Sequence, residues 1–156
     1  GLSQLPCNEI EFYYRLKDHE KFLNLLDINF SSVTPRMTRD FLINFNSMDS
    51  AKIAEKRLKD IKVCGSEISL FGEIDNRGKT LFIESDYPLE IKDETTIKVY
   101  DQIFALKPHF VFVGIKNGKH NGTGYCFFSD GIAKNEINNS IHVKEIFSSV
   151  KDYFLN

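Results

Sequence analysis

The run from residue 39 to residue 86 constrains this chain more than any other. "RDFLINF" alternates Phe41, Ile43 and Phe45 against Asp40, Leu42 and Asn44, the period-two pattern of a strand with one apolar face. "NSMDS" follows, and Ser47 or Asp49 can accept hydrogen bonds from the free N–H groups at a helix start. Ala51, Ala54, Leu58 and Ile61 then share one helical face, with Gly65 a few residues on as a stop signal. "ISLFGEI" and "TLFIES" come next, joined by "DNRGK", where Gly78 can take the positive φ that a hairpin turn needs. Strand, helix, strand, strand is half of a split βαβ arrangement.

The rest of the chain is read around that unit. Leu16, His19, Phe22, Leu23 and Leu26 recur at helical spacing and predict a helix over residues 10 to 27. "NFSSVTPRM" reads as a loop in which Pro35 holds Thr34 extended. "IKDETTIKVYDQIFALK" fits a strand followed by a short helix or an irregular loop. "HFVFVGI" is a continuous apolar run, read as a buried strand over 109–115, and "GYCFFS" predicts another near 124–129. Val143, Ile146, Phe147, Val150 and Phe154 form the stripe of a closing helix over 143–154. Phe71 and Phe82 read as core. The expected fold class is mixed α/β, an α+β sheet packed with helices, as a single domain or domain fragment over residues 1–156. Its strands fall near 39–45, 68–74, 80–85, 109–115 and 124–129, and its helices near 10–27, 49–62 and 143–154.

Composition narrows the function classes. A net charge of −2 gives no electrostatic footprint for nucleic acid, which needs a basic face or groove. "KIAEKRLKDIK" is locally basic, but Glu55 and Asp60 interrupt it, so it reads as a solvated helix face. No apolar stretch is long enough to span a bilayer. Cys7, Cys64 and Cys126 are far apart with no C-x-x-C pair, which argues against a zinc knuckle or redox motif; Cys126 in "GYCFF" reads as a small buried hydrophobe.

Histidine is the residue type that could carry chemistry. His19 lies on the apolar side of its expected helix, packed or half exposed. His109 enters a strand, where a capping or turn role is the default. His142 opens the last helix and can contact its first turn. His120 differs, because "GIKNGKHNGTG" surrounds it with Gly118, Gly122 and Gly124, which allow unusual backbone and close ligand approach. Two readings stay open: a metal ligand on a bend at a strand end, or an exposed histidine on a hairpin-like connection. No H-x-x-x-H, H-x-H or D-x-x-x-H spacing accompanies it, and no P-loop, G-x-S-x-G or helix-opening G-x-G-x-x-G occurs.

The C-terminal stretch "GKHNGTGYCFFSDGIAKNEINNSIHVKEIFSSVKDYF" resembles the end of the alkaline phosphatase superfamily, most of all its type I phosphodiesterase and nucleotide pyrophosphatase branch. The parts are the loop from Gly118 to His120, the strand from Tyr125 to Ser129, the turn at Asp130 and Gly131, a segment from Ile137 to His142, and the helix from Val143 to Phe154. "VTPRMTRDFLINFNSMDSAKIAEKRLKDI" and "LFGEIDNRGKTLFIESDYPLEI" are similar to a region before that loop in some bacterial members, so the likeness spans residues 33 to 154. It divides the chain into a unit over 33–86 and a family-like segment over 109–154. The resemblance implies the C-terminal portion of an alkaline-phosphatase-like fold, a two-metal zinc site with His120 as one ligand, and a phosphate ester or nucleotide as the parent enzyme's substrate. Asn121 stands where the family usually has glycine, and the family's nucleophile and remaining metal ligands, which belong upstream, are not matched. The chain is thus expected to be the C-terminal part of a larger metal-dependent phosphoric ester hydrolase, or a degenerate relative of one; the alternative is a non-catalytic α+β binding or interaction module.

Overall fold

The computed structural model describes residues 2–125 and 142–155. In chain order the elements are β1 (Leu2–Leu16), α1 (His19–Leu25), β2 (Ser32–Pro35), β3 (Asp40–Asn44), α2 (Met48–Lys59), β4 (Phe71–Asn76), β5 (Thr80–Ser85), β6 (Thr96–Val99), β7 (Gln102–Ala105), β8 (Phe110–Gly124) and α3 (Val143–Leu155). They fall into two compact units, Pro6–Lys119 and a smaller one of Gly1–Leu5 with His120–Asn156.

The larger unit is mixed α+β. Its main sheet is antiparallel with strand order β2-β3-β5-β4. Phe41 pairs with Ile83 and Ile43 with Leu81, so the alternation read from "RDFLINF" and "TLFIES" puts all four on one buried face. Onto this core α2 brings Ala51, Ala54 and Leu58, with Ser47 as its N-cap accepting from Ser50 N. Phe22, Leu23 and Leu26, all fully buried, bring in the α1 region. Each such large side chain contributes about 1.5 to 3 kcal/mol by leaving water. Gly78 takes φ 87° in the β4–β5 turn, as expected, and Gly65 takes φ 76° beyond α2.

Six expectations need correction. Residues 110–115 are strand but not a buried one: Phe110 is buried, whereas Phe112 is 52% and Val113 42% exposed. Residues 10–16 are strand, and the helix occupies only His19–Leu25. "IEFYYRL" is rich in aromatic and β-branched residues, and the helix starts only where Asp18 accepts from Lys21 N. Part of the loop "NFSSVTPRM" is the edge strand β2, which tolerates Pro35 because an edge leaves an N–H position unpaired. "TIKVYDQIFA" is a hairpin, β6 against β7, without a helix. Phe82 is not core: with Leu81 and Ile83 pointing inward it must point out, and it lies half-buried beneath Arg77, 5.1 Å from ring centre to guanidinium. The stripe on α3 is largely exposed, Val143 by 71% and Phe147 by 73%. Among the described residues, its own unit offers only the outer ends of β1 and β8.

The expected bend around His120 is also absent. β8 continues unbroken to Gly124, because β1 supplies a partner ladder of equal length. Gly114 and Gly122 have ordinary extended backbone with nothing within 4 Å of where a Cβ would stand, so neither serves a turn. The strand expected at 124–129 and the burial of Cys126 lie outside the described residues from residue 126 onward.

One glycine is required by close approach. A Cβ on Gly72 would sit 2.9 Å from both Cβ and Oδ2 of Asp86, beside the register shift in β4. Gly72→Ala should lower stability by about 1 to 3 kcal/mol, the usual cost of overpacking, measured by urea denaturation. A neutral result would mean Asp86 moves aside freely.

Candidate functional site: a cationic cleft beside the first strand

Side chains along β1 alternate between two environments. Phe12 and Tyr14 form an aromatic trio with Phe112, the centroid of Phe112 lying 6.4 Å from Phe12 and 5.8 Å from Tyr14. Tyr14 Oη accepts from Ile91 N at 3.1 Å, and Leu16 ends the series buried. On the other side, Tyr13 receives the Arg39 guanidinium 4.1 Å above its ring. Arg15, next on that side, faces a cleft of about 500 Å³ lined also by Lys17, His19, Arg36 and Thr38.

Local hydrogen bonds set each of these groups in place. Lys17 N donates to His109 O at 2.9 Å where β1 ends, and His19 begins α1 directly after the Asp18 cap. The His19 ring stands edge-on to Phe41 with centroids 5.0 Å apart. Arg36 N donates to Asp40 O at 2.9 Å, closing the β2–β3 loop, and Asp40 Oδ1 accepts from Thr38 N at 3.4 Å. The acids nearest in sequence, Asp18 and Asp40, therefore turn their carboxylates to backbone N–H groups. Among the described residues, Arg15, Lys17 and Arg36 enter no ion pair.

Burial is the main influence on both imidazoles of this region. Burial holds His19 below its usual pKa; the Asp18 carboxylate opposes the shift and Arg15 reinforces it. Burial likewise lowers His109, helped by Lys21 and Lys17. Both shifts favour the neutral form, and burial rather than neighbouring charge is their main cause. The arrangement suits oxyanion binding: guanidinium forks grip two oxygens at once, a lysine adds a point charge, and the Thr38 hydroxyl can donate.

The aromatic trio opens on a second cleft of about 730 Å³, floored by Phe12, Tyr14, Phe112 and Ile91. Its rim carries Glu90, Asp93 and Glu94 against Lys17, Lys92 and Lys107, with Lys107 Nζ 2.9 Å from Asp93 Oδ1. The charges balance, so this cleft selects no sign of ligand.

His120 lies exposed on β8 in the smaller unit. Among the described residues no group of three or more His, Cys, Asp or Glu could hold a metal ion, so these residues do not make up a zinc site around it. The carboxylates of "ESD" are engaged elsewhere, Glu84 and Asp86 both binding Arg39 at 2.8 Å; the Asp130 carboxylate lies outside the described residues. His19 is half-buried, as expected. His109 packs on Phe22 with centroids 5.3 Å apart and donates its backbone N–H to Leu106 O. His142 does meet the first turn of α3, its Nδ1 accepting from Lys144 N at 3.2 Å.

Sequence reasoning missed Arg15, Lys17 and Arg36. They are isolated charges in a chain of net charge −2, separated by the whole of α1 and β2. The available signal was the alternation of Phe12, Tyr14 and Leu16 against Tyr13 and Arg15, hidden once the segment was read at helical spacing. No helix is long and apolar enough to cross a membrane among the described residues. The chain matches no family model, no curated protein and no solved structure.

Proposed function

We propose that the larger unit is a non-catalytic binding module whose cationic cleft takes the phosphate group of a small phosphorylated molecule. The observation that carries this reading is the convergence of Arg15, Lys17 and Arg36 on one cleft without a partner carboxylate among the described residues. Concentrated unpaired cations raise the local potential and draw an anion in, and a cleft focuses that field. At about 500 Å³ the cleft has the size of a small-molecule site. A concave site within a chain of net charge −2 favours a compact ligand over a nucleic acid, which would follow an extended basic stripe.

The rival reading is the phosphoric ester hydrolase, with His120 as one zinc ligand. The two separate in one set of measurements. Calorimetric titration with pyrophosphate should show saturable binding that weakens as salt rises. Arg15→Ala together with Arg36→Ala should weaken it by about tenfold or more, since charge-assisted hydrogen bonds contribute about 1.5 to 3 kcal/mol each. Equal affinity in the double variant would remove the cleft from consideration. Release of nitrophenol from a bis(nitrophenyl) phosphate by the zinc-loaded chain, lost in His120→Ala, would establish the hydrolase instead.

A further inference from the structure

The loop between β2 and β3 forms one wall of the cationic cleft and carries an apolar side chain that the cleft does not use. Arg36 and Thr38 line the cleft, and Met37 between them does not. Met37 is 90% exposed, more than any other large apolar side chain described. A single exposed apolar residue is ordinary on a protein surface. This one differs in how it is held and in what stands beside it.

The loop is fixed at its base. Pro35 pairs with Phe41, Arg36 N donates to Asp40 O at 2.9 Å, and Thr38 N donates to Asp40 Oδ1 at 3.4 Å. Directly after Thr38, Arg39 is held by Glu84, Asp86 and the Tyr13 ring. Met37 is therefore carried at the turn of a short, tethered hairpin. Beside it, Arg15, Lys17 and Arg36 line the cleft and, among the described residues, no carboxylate does. None of the three enters an ion pair among the described residues, so the charge here is of one sign and uncompensated.

We infer that this loop and cleft dock on a membrane surface, the cleft taking the phosphomonoester headgroup of an anionic lipid while Met37 enters between the lipids around it. The inference rests on the phosphate reading of the cleft and names the source of the phosphate. A soluble phosphate would occupy the cleft equally well but leave Met37 in water. A phosphorylated protein segment offers matching charge, but it would need a preformed pocket for a projecting methionine. A fluid bilayer needs none, and an unbranched, flexible side chain adapts to it. Peripheral attachment combines a buried apolar group with attraction to anionic lipid and requires no spanning helix. Each lysine or arginine near such a surface strengthens binding by about fivefold. Guanidinium forks match the several free oxygens of a phosphomonoester better than the two of a phosphodiester.

The test uses the full chain and vesicles of phosphatidylcholine carrying phosphatidic acid, with bound protein measured by co-sedimentation. Binding should saturate and should fall as salt rises. Met37→Asp, on a side chain already in water, should keep the melting temperature and the affinity for pyrophosphate. The same variant should bind the vesicles about tenfold or more weakly. Arg15→Ala together with Arg36→Ala should lose both ligands, and phosphatidylserine at matched surface charge should replace phosphatidic acid poorly. Pyrophosphate binding without vesicle binding would overturn the membrane inference and leave the phosphate reading standing; absence of both would remove both. The inference is also overturned if Met37→Asp binds vesicles as well as the parent chain does, or if phosphatidylserine serves equally. A serine-phosphorylated peptide that Met37→Asp weakens as much as the vesicles would assign the loop to a protein partner instead.

Discussion

Phe41→Ala is expected to lower the unfolding free energy by about 3 to 5 kcal/mol in urea denaturation, the range for emptying a filled aromatic site. Phe41 is wholly buried, pairs with Ile83 on one side and Pro35 on the other, and is flanked by the rings of His19 at 5.0 Å and Phe71 at 6.2 Å. Small domains have only about 5 to 15 kcal/mol of stability in total, so a loss of this size should leave a measurable unfolded fraction. Phe41→Leu keeps most of the volume and should cost less than about 1.5 kcal/mol. Because His19 leans on Phe41 and also lines the cationic cleft, the alanine variant should bind pyrophosphate less well even where it remains folded. A loss below about 1 kcal/mol would contradict the packing described, since such values belong to surface sites.

The second large effect is expected at Arg39. Its side chain is 13% exposed, Nε binds Glu84 and Nη1 binds Asp86, each at 2.8 Å, and the planar group lies on Tyr13. Removing one member of a fully buried pair costs about 3 to 5 kcal/mol, because the remaining charge is left dry. Glu84 and Asp86 are 42% and 48% exposed and can regain water, which brings the expectation for Arg39→Ala to about 2 to 3 kcal/mol. Arg39→Lys keeps the charge but loses the fork and the stacking, and should recover roughly half of that difference. Double-mutant cycles with Glu84→Gln and Tyr13→Leu would apportion the rest. Full stability of Arg39→Lys would mean that charge alone, without planar geometry, holds the cluster.

The parts of the fold legible in the sequence were those with local, consistent signals. Residues 39 to 86 announced themselves through Phe41, Ile43, Leu81 and Ile83 at period two, the Ser47 cap, and Gly78 in its turn. The illegible parts were settled by partners distant in the chain. Residues 10–16 satisfy a helical spacing through Leu16 and His19, but β8, about a hundred residues away, offers a ladder that outweighs it. The glycines near His120 suggested a bend for the same reason, since a lone segment gives no sign of the strand beside it. Of the candidate site, His19 was noticed as a residue and not as part of a site. Arg15 and Arg36 acquire meaning only once Tyr13 and Arg39 tie β1 to the β2–β3 hairpin.

The main sheet ends on one side at β2, where Pro35 has no N–H to offer, and on the other at β4, where the ladder slips between Phe71 and Ile74. Neither border is a regular row of donors and acceptors on which a neighbouring molecule could extend the ladder. Concentrated solutions of the chain should therefore resist fibril growth through this sheet, leaving its surface clefts available to ligands.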